Sequence, residues 1–196
     1  MTKHSKSWFV PGRTVVVNDK MQQYEYKLTY KAGTNLKNGG VDEDGNRIRY
    51  DDFDPYYTPQ QMLVMGVFEG KYINDGEDEF PKEWYTAAKK RNKLSPEIAD
   101  PSKNYFKIKS RLSLQEWRKR KWVPINEEDM DIRGWFQWYC RYWIGRRIPG
   151  IDPIQIKRWK AFARHYAQVK KNANGDLSKR PKQRQALLQW SWDSKI

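Results

Sequence analysis

The spacing of apolar positions changes character near residue 58. Before that point polar residues alternate with β-branched or aromatic ones, around Thr14–Val17 and again in Tyr24–Tyr30, while KAGTNLKNGG and DEDGN supply turn residues. One or two short strands, or a loosely docked arm, are predicted for residues 1–57. From Thr58 the period becomes helical. In TPQQMLVMGVF, Thr58 is a natural N-cap, Pro59 suits the first turn and Gln61 is placed to reach back to the cap. Gly66 and Gly70 allow an exit. A second helix is predicted from Pro81 to Arg91, with Trp84, Ala87 and Ala88 inward and the acidic GEDE run before its positive end. NYFKIK reads as extended. SLQEWRKRKW then opens on Ser113 and Glu116 as a capping box.

The next two segments carry the strongest helical patterns. Asp131 is placed to cap a helix running to Arg147, and successive steps of about 100° put Trp138, Tyr142, Trp135, Tyr139, Trp143 and Phe136 on one arc of about 160°. Gln137, Cys140, Arg141 and Ile144 fall on the other side. Arg146 is the exception, because its angle lies inside the aromatic arc. An arginine there either stacks on rings and finds an acid, or emerges at the rim to grip an anion. After IPG, Asp152, Pro153 and Gln155 read as a cap opening a helix to about Lys171. Ile156, Trp159, Phe162, Ala163, Tyr166, Ala167 and Val169 share one side, while Lys157, Arg158, Lys160, Arg164, His165, Gln168 and Lys171 share the other. NANGDLS is a turn before a last helix through PKQRQALLQWSW. The predicted fold is mainly α, five or six helices over residues 58–196 with an extended or short-stranded region 1–57 across them; α+β is the alternative.

Charge changes the picture more than composition does. The chain has 196 residues, 38 Lys+Arg and 24 Asp+Glu. Residues 1–105 hold 16 of each kind, so the whole net charge of +14 falls in residues 106–196, together with eight of the ten Trp. Basic residues interleaved with aromatics on one half of a chain suit a surface that meets phosphates. Aromatic residues make up 15% of the chain, enough to fold it around rings. No apolar run is long enough for a membrane span, and MTKHSKSWF lacks a signal-peptide core. A single Cys, Cys140, fits an intracellular setting, cytoplasmic or nucleoid/nuclear, with a virion-associated one as the alternative.

Candidate chemistry follows from that distribution. The basic side of 157–171 (Lys157, Arg158, Lys160, Arg164, His165, Gln168 and Lys171) is the leading phosphate-tracking surface, with Arg158, Arg164 or Gln168 available for base edges. Arg146–Arg147, Lys179–Arg180 and Lys182 with Arg184 extend it, and Arg118, Lys119, Arg120 and Lys121 form a further cluster between Trp117 and Trp122. The competing explanations are a solvated face and, for WRKRKW, cations at a helix C-terminus. The aromatic arc is read first as core; stacking on single strands would need Trp117, Trp122, Trp190 or Trp192 exposed. Cys140 with His165 is the one thiol–imidazole pair available. Carboxylates at Asp75–Glu79 and Glu127–Asp131 would serve a metal-dependent nuclease, although helix-dipole partners explain them equally well. DEDG has the wrong spacing for a calcium loop. No phosphate-loop, dinucleotide, serine-hydrolase or zinc-protease motif is present. No catalytic residue, metal or cofactor is assigned.

Several strings together resemble a family of uncharacterised small proteins from bacteria, large viruses and some algae or fungi: TPQQMLVMGVFEGKY, EFPKEWY, SLQEWRKRKWV, RGWFQWYCRYWIGRR, QIKRW and RPKQRQALLQW. The resemblance spans residues 58–192 and implies a shared helical fold, with no activity attached. Members often carry Cys at the positions of Ala173 and Lys179, so no metal or disulfide role carries over to that turn. The resulting expectation is a non-enzymatic nucleic-acid-binding protein, for DNA before RNA and duplex before single strand. The rivals are a structural component of a virion or other large assembly, with residues 1–57 lacing onto adjacent subunits and the basic half facing packaged nucleic acid or an acidic protein neighbour, and a DNA-modifying or nuclease-type enzyme.

Overall fold

A computed structural model describes residues 4–109, 114–121 and 130–196. The chain is a helix-rich domain carrying two small antiparallel sheets. Strands β1 (Thr14–Asn18) and β2 (Gln23–Lys27) pair as a hairpin with Val15 opposite Tyr26 and Val17 opposite Tyr24; β3 (Asn38–Val41) and β4 (Arg47–Arg49) form a second, with a register shift between Asn38 and Gly40. The helices follow: α1 (Pro59–Met65), α2 (Lys82–Lys90), α3 (Leu114–Lys119), α4 (Trp135–Ile144), α5 (Asp152–Ala161), α6 (Ala163–Ala173) and α7 (Pro181–Gln189).

Local signals fix some of these elements. Thr58 and Gln61 make the reciprocal capping box: the Thr58 N–H donates to Gln61 Oε1 at 2.8 Å, and Thr58 Oγ1 accepts the Gln61 N–H at 3.2 Å. Gly66 ends α1 in the left-handed region. Ser113 lies outside the described residues, so the capping box predicted for α3 does too. Residues 104–109, predicted extended, are turns and bends.

Helix α4 is the centre of the molecule. Every residue from Asp131 to Arg147 is buried, including Gln137, Cys140 and Arg141 on the side predicted to be the less aromatic one. The N-terminal region supplies the second cover. Phe53 sits among Trp138, Tyr139, Tyr142 and Trp159 at centroid distances of 5.2–6.3 Å, and Phe9, Val15, Val17, Tyr26 and Leu28 join the same core. These side chains are committed to their own chain, so they are not free contacts for a neighbouring subunit. A close approach locks the junction: the Gly145 carbonyl accepts the N–H groups of Thr29 and Tyr30, and at φ 119° a Cβ on Gly145 would lie 1.9 Å from the Tyr30 oxygen.

Two predicted helices are shorter than their patterns. Asp131 does not cap α4; Gly134 precedes it, and the Asp131 carboxylate goes instead to arginines. The helix predicted from Asp152 to Lys171 is broken at Phe162, where the N–H bonds back to Trp159 in a tighter turn and the ring stacks on Trp190 at 4.5 Å. Asp152 begins α5 without capping it: its carboxylate accepts the Trp138 indole N–H at 2.9 Å and the Ile148 N–H at 2.8 Å. Beyond the break the buried face shifts, so that Ala163 and Ala167 are exposed while Val169 and Ala173 pack with Leu187 of α7.

Candidate nucleic-acid interface

The arginines and lysines of the second half divide into two populations. The first is internal. Arg141, fully buried, grips Glu79 through Nε at 2.6 Å and Nη2 at 3.1 Å, and reaches Asp131 through Nη1 at 3.1 Å and the Met130 carbonyl. Arg146 donates Nη2 to the other Asp131 oxygen at 2.6 Å while its guanidinium lies 5.4 Å over the Tyr26 ring. Tyr26 completes the network by donating to Glu79 at 2.9 Å. Burial pushes the Tyr24 phenol up to about 12 against the opposing pull of Arg141 and Arg146. Next door, Arg133 holds Asp75 with two 2.7 Å bonds and lies 3.5 Å from Asp19.

Two of the predicted phosphate contacts therefore move indoors. Arg146 is 2% exposed and braces the core, which resolves its position inside the aromatic arc in favour of an acidic partner. Arg147 stacks 3.6 Å over Tyr142 and donates to the carbonyls of Asn35, Asn38, Tyr142 and Arg146. Arg184 is a third correction. It is fully buried and donates to the carbonyls of Asp176, Lys179 and Ser194, tying the turn before α7 to the C-terminus. Arg158 is half-buried, its guanidinium 5.5 Å over Trp190 and Nη1 bonded to Gln155. No sequence period marks these sites, because their partners are a mixture of backbone oxygens, rings and one carboxylate at irregular separations along the chain.

The second population is external. Lys157, Lys160, Arg164, His165, Gln168 and Lys171 are exposed along α5 and α6, and Lys179, Arg180 and Lys182 are exposed at the start of α7. Lys160 meets Asp52 at 2.9 Å and Lys179 lies 3.8 Å from Asp176; both pairs are open to solvent. Arg180 bonds Gln183 at 2.8 Å. From residue 153 to 175 the chain holds six Lys and Arg and not one Asp or Glu. In the 118–121 cluster, Lys119, Arg120 and Lys121 are exposed, with Arg120 paired to Glu116, and Arg118 is half-buried.

The rival chemistries find little support in this geometry. Cys140 is fully buried and burial pushes its thiol up, whereas His165 stands on the exposed face of α6 beside Phe162. Of the acids at Asp75–Glu79 and Glu127–Asp131 proposed for a metal-dependent nuclease, Asp75, Glu79 and Asp131 are each held by a guanidinium and Glu77 meets Lys89. Glu127 lies outside the described residues, as does Trp122. Trp190 is sandwiched between Trp135 at 5.0 Å and Phe162 at 4.5 Å; Trp192 stacks on Trp159 at 4.8 Å, and Trp117 is half-buried near Phe68 and Tyr72. No helix among the described residues is long and apolar enough to cross a membrane. Comparison of the chain with protein-family models, curated proteins and solved structures finds no match.

Proposed function

We propose that the chain is a non-enzymatic nucleic-acid-binding protein that tracks duplex DNA with the exposed basic face of α5 and α6, extended by Lys179, Arg180 and Lys182. The supporting observation is the acid-free stretch 153–175: Lys157, Arg164 and Lys171 stand exposed, and none of them forms an ion pair among the described residues. Unpaired surface cations attract a polyanion and release its counterions, whereas cations interleaved with acids mostly neutralise one another. Duplex is preferred to single strand because Trp117, Trp190 and Trp192 are engaged with rings of their own chain. An intracellular setting and kinship with the family that residues 58–192 resemble belong to the same proposal.

The test is charge reversal. Lys157→Glu, Arg164→Glu and Lys171→Glu together change one face by six charge units and leave Trp159, Phe162 and Tyr166 in place. Fluorescence anisotropy on a labelled duplex at several salt concentrations is expected to show a large loss of affinity and a salt slope shallower by roughly three phosphate contacts. Equal binding by parent and triple variant at matched salt, or no retention of the parent on DNA or RNA at low salt, overturns the reading. Binding of the parent to an acidic polypeptide alone would give the face to a protein partner.

A further inference from the structure

A column of stacked rings runs from the core to the surface at the α5–α6 break. Tyr139 stacks on Trp135 at 5.0 Å, Trp135 on Trp190 at 5.0 Å, Trp190 on Phe162 at 4.5 Å, and Phe162 meets His165 at 4.9 Å. Interplanar angles along it run between 20° and 32°. Trp135, Trp190 and Phe162 each have a ring on both sides. His165 has one on its inner side only, is exposed, and makes no hydrogen bond. Its ring lines a surface hollow of about 380 Å³ whose other walls are Ala161, Phe162, Arg164 and Gln168. A flat aromatic floor, one cation and one amide without any carboxylate form a surface that takes a planar group attached to an anion.

We propose that this hollow seats a single unpaired nucleobase of a bound nucleic acid, stacked on the outer face of His165 as the next ring of the column. Arg164 meets the flanking phosphate and Gln168 pairs with a base edge. The seat deepens the nucleic-acid reading and rests on it: the basic face follows the backbone, and the hollow recognises a bulged, mismatched or extruded base. The seat lies at the break between α5 and α6, where the Phe162 ring is held between Trp190 and His165.

Three labelled duplexes of one sequence separate the two claims: fully paired, with one bulged base, and with an abasic residue in the bulge. The expected result is roughly tenfold tighter binding of the bulged base than of its abasic counterpart, the scale of one base–aromatic stack. His165→Ala should bring the bulged duplex down to the abasic level. His165→Phe should restore the difference, which a purely electrostatic role for His165 would not. In the complex, the His165 ring protons should move upfield in NMR spectra for the bulged duplex alone. Equal binding of all three duplexes by the parent removes the seat while leaving the basic-face reading intact; no binding to any of them removes both. Competition by free mononucleotide as strong as by the bulged duplex would overturn the assignment to nucleic acid.

Discussion

Helices α4 and α6 are built from the same vocabulary of aromatics and cations and use it in opposite ways. In α4 the rings fill one arc and the opposite side, where Arg141 sits, is fully buried as well, whereas in α6 Arg164, His165, Lys170 and Lys171 face solvent and only Val169 and Ala173 are buried. The difference is set by acids supplied from elsewhere. Glu79, from the loop before α2, and Asp131, from the approach to α4, meet Arg141 and Arg146; among the described residues no ion pair reaches a cation of α6. A cation with a desolvated acid is part of the architecture, and one without is free to attract a partner. Counting basic residues does not separate the two populations; locating their buried acids and, for Arg147 and Arg184, their carbonyl acceptors does.

The comparison breaks most sharply at Arg141. Arg141→Met leaves Glu79 and half of Asp131 buried without their main counter-charge, and removing one partner of a buried pair typically costs about 3–5 kcal/mol. For a chain of this size that is a drop of roughly 6–20 °C in Tm, read by thermal or urea unfolding. The Lys157/Arg164/Lys171 reversal should change stability by no more than about 0.5 kcal/mol per site. Equal stability losses in the two variants would mean that α6 is structural. Arg184→Met is the next step down. It removes donors from three carbonyls, for which about 1–3 kcal/mol is expected, and DNA affinity measured well below the melting range should stay at the parent's value. A selective loss of affinity would return Arg184 to the interface.

How much of this was legible in the sequence depends on how far away the partner is. The α1 cap was readable because Thr58, Pro59 and Gln61 carry the whole signal within one turn. The ring arc of α4 was readable as core, but its second buried side was not, since Arg141 there meets Glu79, Tyr24 and the Tyr26 that bonds Glu79, distant in sequence and tied by no period to α4. Arg146 stood out by its angle, while its partner Asp131 read as a cap because an Asp before a helix fits both roles. The break at Phe162 had no signal at all: no Gly or Pro marks it, and the ring stacked on Phe162 there, Trp190, lies far along the chain. Of the predicted interface, the exposed members on α5 and α6 were legible from period alone, and Arg147 and Arg184 were misread because carbonyl acceptors leave no trace in a charge pattern.

Acid titration sharpens the internal half of the comparison. Burial raises the Asp75 carboxyl, but the hydrogen bonds and charge of Arg133 outweigh it and hold the pKa at about 2. A carboxylate depressed in the folded state contributes stability that is present above its unfolded value near 3.8 and lost as pH falls toward 2. Urea midpoints measured between pH 5 and pH 2 should fall more steeply for the parent than for Asp75→Asn. The difference expected is about 1–2 kcal/mol after allowance for partial exposure of the pair. Parallel curves would mean that the Arg133–Asp75 pair stabilises nothing.

The smallest effect belongs to the pair that bridges the two populations. Lys160 on α5 meets Asp52 at 2.9 Å, with side chains 47% and 81% exposed. Such pairs contribute about 0–1 kcal/mol, screened by salt, because both ends keep their water and lose side-chain freedom. A double-mutant cycle with Lys160→Ala and Asp52→Ala should give a coupling below about 0.5 kcal/mol that vanishes at 1 M salt. The informative arm is affinity. Asp52 is the acid placed against the α5 face, so if that face tracks phosphate, Asp52→Ala frees Lys160 and removes a repulsive charge. DNA binding should then tighten by a few-fold at low salt and by nothing at high salt. Weaker binding by Asp52→Ala would mean that Lys160 acts through the pair, and would place it with the internal arginines.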